Sequence, residues 1–174
     1  MIKLHILTVA LVLVGALDSV SNITGTNFVE RLGNNTHKNV STVIYAIIGI
    51  CCLYLLFDRN TYLPFLGESV FPCGVLNKST PDKANKVVKI KTRPNTMIVY
   101  WAAEPNVTNE RNPQEAYAGY KNSGVTQSDK NGDAELHVRK PIGYRVPMKK
   151  LQSHIHYREC INGYMLDEVK TIFV

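Results

Sequence analysis

The sequence predicts a mainly β fold: an antiparallel β-sandwich of about seven short strands with one small helix, preceded by one or two N-terminal transmembrane helices. Three observations predict it. An uncharged apolar run fills residues 40–57. From residue 58 onward, apolar and polar residues alternate over runs of strand length. Turn residues separate those runs, and no glycine-rich phosphate loop, Ser/His/Asp arrangement or CxxC pair interrupts them.

The first apolar stretch, residues 4–17, has Lys3 ahead and Asp18 behind. It is short of the roughly 20 residues a membrane span needs. A basic start, an apolar centre and the small residues Val14-Gly15-Ala16 fit a signal peptide or an uncleaved signal anchor over residues 1–20. Residues 21–39 then form an exoplasmic loop. Residues 40–57, closed by Asp58-Arg59, form a transmembrane helix about 27 Å long. Tyr54 and Tyr62 flank the charged stop as interfacial aromatics.

The loop of residues 18–39 is neutral, with Asp18, Glu30, Arg31 and Lys38. Residues 58–174 carry 17 Lys and Arg against 12 Asp and Glu, a net +5. Positive-inside placement therefore predicts a cytosolic domain over residues 58–174. A chain charge of +6 on a mixed surface excludes a polycation and calls for no specific nucleic-acid partner. Cys51 and Cys52 sit in the apolar run. Cys73 and Cys160 pair in an oxidising compartment or stay free in a reducing one.

Within the domain, Pro64, Gly67, Pro72 and Gly74 mark an irregular entry segment, with a strand starting near Val70 and Phe71. Residues 86–93 alternate, placing Val88, Ile90 and Thr92 on one face and Lys89, Lys91 and Arg93 on the other. With Lys83 and Lys86, these form a basic surface patch for anionic lipid headgroups, or a solvated face protected from edge pairing. Residues 97–103 read as a central strand. Asn112-Pro113-Gln114-Glu115 starts a helix reaching about Tyr120, with Asn112 as N-cap. Asp129-Lys-Asn-Gly132 is a hairpin turn. Asp129, Asn131 and Asp133 also match half a calcium loop, but its closing position falls on Lys140. Residues 135–139, 153–160 and 169–174 complete the strands, the last two joined by a turn at Asn162-Gly163.

The chemistry concentrates in Pro141-Ile142-Gly143-Tyr144 and His154-Ile155-His156-Tyr157. On a strand, residues i and i+2 share a face, so His154 and His156 present two imidazoles side by side. Tyr144, ten residues earlier, can close on the same point. Two imidazoles and a tyrosinate suit iron before zinc.

The order of elements from Val99 to Tyr157 resembles the core of intradiol ring-cleavage dioxygenases. The residues that carry it are Val99-Tyr-Trp-Ala-Ala, Gly124-Val-Thr-Gln-Ser-Asp129-Lys-Asn-Gly132, Pro141-Ile-Gly-Tyr144 and His154-Ile-His-Tyr157. The resemblance implies a prealbumin-like β-sandwich binding non-haem iron(III), with Tyr144, His154 and His156 at three of four ligand positions. The family's second tyrosinate comes after the Trp strand. Here the first tyrosines after Trp101 are Tyr117 and Tyr120, and nothing local directs either to the histidines. The family's Arg-Pro pair before the histidines is replaced by Leu151-Gln152-Ser153. An incomplete ligand set leans against catalysis, so no cofactor is expected unless an iron site closes.

The layout of a short anchored chain, with Tyr62-Leu-Pro-Phe-Leu-Gly-Glu68 after the span, resembles minor virion proteins of large DNA viruses of algae and protists. That implies a structural membrane anchor tethering a protein shell to an underlying membrane, with membrane lipid and other capsid proteins as partners. The alternatives are a membrane-tethered iron enzyme acting on catechol-like aromatics and an anionic-lipid-binding module.

Overall fold

A computed structural model of the chain describes residues 2–34, 39–105, 113–146 and 149–174. It divides into two compact units, Met1–Pro64 and Phe65–Val174.

The first unit is helical: α1 (Ile2–Ile23), α2 (Phe28–Asn34), α3 (Val40–Phe57) and the short α4 (Arg59–Tyr62). α3 has the bounds its uncharged run predicts. α1 is longer than expected, and both Leu4–Ile23 and Val40–Phe57 are long and apolar enough to cross a membrane. Asp18 does not end α1 because its carboxylate is satisfied. The Val29 N–H donates to Oδ1 at 3.0 Å and the Tyr45 hydroxyl to Oδ2 at 2.7 Å. A buried carboxylate without such donors would be costly. Gly15 brings α1 and α3 close, since a Cβ there would lie 2.7 Å from Ile48 Cγ2. Small residues serve this purpose between membrane helices. His5 Nδ1 lies 3.4 Å from the Asp58 carboxylate, linking the start of α1 to the end of α3.

The second unit is mainly β and antiparallel, with ten strands among the described residues. They are β1 (Ser69–Val70), β2 (Lys86–Lys91), β3 (Met97–Ala102), β4 (Ser123–Gln127), β5 (Asp133–Val138), β6 (Tyr144–Val146), β7 (Lys149–Leu151), β8 (His154–Ile161), β9 (Met165–Leu166) and β10 (Lys170–Phe173). One sheet runs β1-β9-β8-β3-β4, with β10 also paired to β8. β2 pairs β5, and β6 pairs β7. Beyond the roughly seven strands expected, β6, β7 and β9 add three short ones of two or three residues each. Runs that short carry no readable alternation.

The core lies between the main sheet and the β2–β5 ribbon. Ile98, Tyr100 and Ala102 of β3 and Ile155 of β8 meet Ile90 of β2 and Ala134, Leu136 and Val138 of β5. The turn at Asp129–Gly132 forms, with the Gly132 N–H donating to the Asp129 carbonyl at 3.0 Å. It is not a hairpin turn, however. β4 pairs β3 and β5 pairs β2, so it carries the chain from one layer to the other. The Asp129 carboxylate accepts the Asn131 and Asp133 N–H groups of its own turn at 2.8 and 2.9 Å. α5 (Pro113–Tyr117) lies where the helix is predicted. Its predicted N-cap, Asn112, falls outside the described residues.

Cys73 and Cys160 form a disulfide that ties the entry segment to β8. Beyond it, Glu159 is buried at 3% exposure. Its Oε1 accepts from the Lys170 ammonium at 2.6 Å, and Lys170 also lies 3.3 Å from Asp167. Burial alone would raise the Glu159 carboxyl and lower the Lys170 ammonium. Burial is the largest single influence on each. Their shared hydrogen bond and mutual attraction, with Thr92 and Arg93 acting on Glu159 and Asp167 acting on Lys170, together outweigh it. Glu159 therefore sits below the ordinary carboxyl value and Lys170 above the ordinary ammonium value. Stability from Glu159 is therefore present above about pH 4.5 and lost as pH falls through its depressed value. Stability from Lys170 is present below about pH 10.5 and lost as pH rises through its raised value. Denaturant titrations between pH 7 and 3 should show the acid loss, and Glu159→Gln should flatten it. An unchanged pH slope in that variant would contradict the assignment.

Candidate metal centre

β8 has two faces. Ile155 points into the core, while His154 and His156 lie on the opposite side, where Trp101 is the cross-strand partner of His156. On that side sits a second cluster, Ala103, Ala116, Tyr117 and Tyr144, with Trp101, Val146 and Leu151 packed against it. The small side chains of Ala103 and Ala116 let α5 approach the end of β3, where the Glu104 N–H donates to the Ala116 carbonyl at 2.8 Å. This delivers Tyr117, the last residue of α5, into the cluster. Tyr144 opens β6, opposite Leu151 of β7. Gly143 is required just before it, because a Cβ there would collide with the Leu151 carbonyl oxygen.

Four donor atoms succeed one another in a chain. Tyr117 Oη lies 2.8 Å from Tyr144 Oη. Tyr144 Oη lies 3.2 Å from His154 Nε2, which lies 3.1 Å from His156 Nε2. Ligands sharing one ion at bond lengths of about 2.0–2.1 Å stand roughly 3 Å apart. Each successive separation is therefore compatible with a shared metal.

The outer ring nitrogens set the tautomers. His154 Nδ1 lies 2.5 Å from the Gln152 carbonyl oxygen, which can only accept, so Nδ1 carries the proton and Nε2 offers its lone pair. His156 Nδ1 lies 2.9 Å from Thr171 Oγ1, a hydroxyl able to hold the ring in the same sense. Such partners orient metal-binding histidines.

Burial raises both phenols. For Tyr117, the hydrogen bond with Tyr144 raises it further, whereas for Tyr144 the same bond partly offsets the rise. Both are neutral phenols near pH 7. Among the described residues no three His, Cys, Asp or Glu side chains gather as a metal site, so any metal here depends on the tyrosines. Two imidazoles and two phenolates form a mixed, hard-to-borderline set that fits a ferric ion, whose charge two phenolates offset in part. Loading would displace two phenol protons. The logarithm of the apparent affinity should therefore rise by about two per pH unit around neutrality, read by competition with a chelator. Uptake independent of pH would contradict phenolate ligation.

Sequence reasoning named Tyr144, His154 and His156, and the structure brings these three together. It left Tyr117 and Tyr120 undirected. The structure places Tyr117 beside Tyr144 through the packing of Ala103 and Ala116, which no local sequence signal announces.

The basic residues are placed differently. Lys89 and Lys91 face Glu135 and Asp133 across the β2–β5 ribbon at 3.6 and 3.1 Å. Arg93 lies 3.4 Å from Asp167. Lys86 starts β2 half-buried, and Lys83 is exposed in the preceding loop. Carboxylates thus offset the positive charge along this strand.

The profile of a family described as "Domain of unknown function (DUF378)" matches residues 3–58, the helical unit alone. No curated protein matches the chain. Among solved structures, the chain is similar to an intradiol ring-cleavage dioxygenase from Tetranychus urticae, at 17% identity and a TM-score of 0.35. That match covers 57% of each chain. It is also similar to 3-chlorocatechol 1,2-dioxygenase from Rhodococcus opacus 1CP, at 15% identity, 90% and 82% coverage and a TM-score of 0.38. A third match is catechol 1,2-dioxygenase from Acinetobacter radioresistens, at 14% identity, 80% and 69% coverage and a TM-score of 0.36. These are weak likenesses of fold. The two apolar helices are compatible with a membrane protein, and an antiparallel β-domain comes after them in the chain.

Proposed function

We propose that this is a membrane-anchored protein whose β-domain holds a ferric ion on Tyr117, Tyr144, His154 and His156 and acts on catechol-like aromatics. The observation that carries the reading is the unbroken chain of four donors, each within 3.2 Å of the next. A ferric ion would supply Lewis acidity toward a bidentate catecholate and a route for reaction with oxygen. The protein's own contribution is a fixed pair of imidazoles, two phenols that release their protons on loading, and a rim formed by Trp101. The test is oxygen uptake with catechol by the full chain in detergent, supplied with iron. Uptake that disappears in His154→Ala plus His156→Ala supports the reading. Iron-loaded protein inert to a panel of catechols contradicts the enzymatic part.

A second reading has its own support. Without a metal, Tyr117, Tyr144 and His154 already satisfy one another by hydrogen bonds. A structural domain presented by a membrane anchor, such as a capsid tether, needs no more than that. The capsid role itself rests on the layout of the chain and on the segment after α3. Co-purification with coat proteins and indifference to the histidine double substitution would favour it.

For the orientation, we infer that the β-domain faces an oxidising compartment, against the expectation drawn from its net charge. Basic residues near the spans are balanced in the sequence, with Lys3 before Leu4–Ile23 and Arg59 after Val40–Phe57, and Arg31 and Lys38 in the segment between them. Charge within a long domain directs insertion little. The Cys73–Cys160 disulfide favours the oxidising side. Protease protection in sealed vesicles decides this: a β-domain digested only from the cytosolic face would overturn it.

A further inference from the structure

The donor chain has two ends, Tyr117 and His156, and a second set of rings joins them. Tyr120 stacks on Tyr117 with centroids 5.3 Å apart and planes 10° from parallel. Trp101 meets Tyr120 edge-on at 6.5 Å and His156 at 5.5 Å. Tyr120 is 55% exposed, so the stack is not imposed by burial in the core.

The backbone that delivers Tyr120 is unusual. Ala118, Gly119 and Tyr120 all have positive φ, at 43°, 73° and 60°. Left-handed conformations are costly for alanine and tyrosine, and such costs gather at functional sites because the surroundings hold them in place. The Tyr120 carbonyl accepts the Ser123 hydroxyl at 2.7 Å, which pins the end of the turn. On a continued helix, residues three apart would be neighbours on one face without this ring geometry being fixed. Here the left-handed turn sets the near-parallel stack of Tyr120 on Tyr117.

We propose that Tyr120 is a positioning residue. Its ring, folded back by the left-handed turn 118–120, clamps Tyr117 as the fourth metal ligand, and Trp101 links that clamp to His156. The role rests on the ferric-ion reading of the four donors. It supplies the fixing of Tyr117 that the sequence around α5 lacks. Tyr120 acts through the flat face of its ring; its hydroxyl is dispensable.

The test uses the full chain in detergent, loaded with iron(III), and reads iron affinity together with the visible tyrosinate-to-iron band. Tyr120→Ala should weaken iron binding by about tenfold, as loss of an outer partner of a metal ligand does, and shift the band. Tyr120→Phe, which keeps the ring face, should match wild type within about twofold on the same scale. Tyr120→Leu, which keeps bulk without a flat ring, should behave like the alanine variant. A merely structural role would lower thermal stability in the alanine variant without moving the band. A wild-type affinity and band in Tyr120→Ala would overturn the positioning role and leave the metal site standing. Wild-type protein that takes up no iron would overturn both.

Discussion

Replacing His154 and His156 together with alanine is expected to lower iron affinity by more than about 100-fold while the β-domain stays folded. Losing even an outer partner of a ligand costs about 10–100-fold, and here two ligands go. The fold survives because the sandwich core is built from the other face of β8, where Ile155 meets Ile98, Tyr100 and Leu136. The stability cost comes from the His154 site, whose imidazole is only 4% exposed. Removing it takes away the hydrogen bonds to the Gln152 carbonyl and to the buried Tyr144 hydroxyl, a loss of about 0.5–1.5 kcal/mol each. Iron content after dialysis, paired with a thermal melt, separates the two effects. A folded double variant that keeps a full equivalent of iron would contradict the assignment.

Loss of the Cys73–Cys160 disulfide is expected to cost about 4–5 kcal/mol, because the bond closes a separation of 87 residues in the unfolded chain. In a domain of about 110 residues that corresponds to a fall of about 15–20 °C in Tm. Cys73→Ser with Cys160→Ser is the cleaner comparison, since reductant leaves two thiols in the same place. The bond anchors β8 at Cys160, on the strand that carries both histidines. A change below about 1 kcal/mol would show that the unfolded chain is already confined in this region. The same variants bear on the compartment: a domain that folds equally well without the bond needs no oxidising environment.

Much of this was legible in the sequence, and the misses have physical causes. α3 was readable because eighteen uncharged residues leave few alternatives. The true length of α1 was not, because Asp18 is satisfied by Tyr45, 27 residues away. β2 and β5 showed alternation because one face of each is more buried than the other, whereas β3 was legible as an apolar run of strand length, as a central strand is. The turn at Asp129–Gly132 was legible as a turn, but its role in switching layers depends on long-range pairing. Lys89 and Lys91 were correctly placed on an outer face. The carboxylates opposite them come from cross-strand register, which local sequence does not reveal. Tyr144, His154 and His156 were visible through strand periodicity and their motif. Tyr117 was not, because it arrives from a five-residue helix whose approach is set by Ala103 and Ala116.

Whether the β-domain is a metal centre is read most directly by metal analysis and a visible spectrum of the full chain, purified in detergent without chelator. The four-donor site predicts one equivalent of iron and a broad tyrosinate-to-iron band that is lost in Tyr117→Phe plus Tyr144→Phe. A folded protein that contains no metal, gains none on exposure to iron(III) and shows no visible band would contradict it, leaving Tyr117, Tyr144, His154 and His156 as a hydrogen-bonded cluster in a membrane-anchored structural domain.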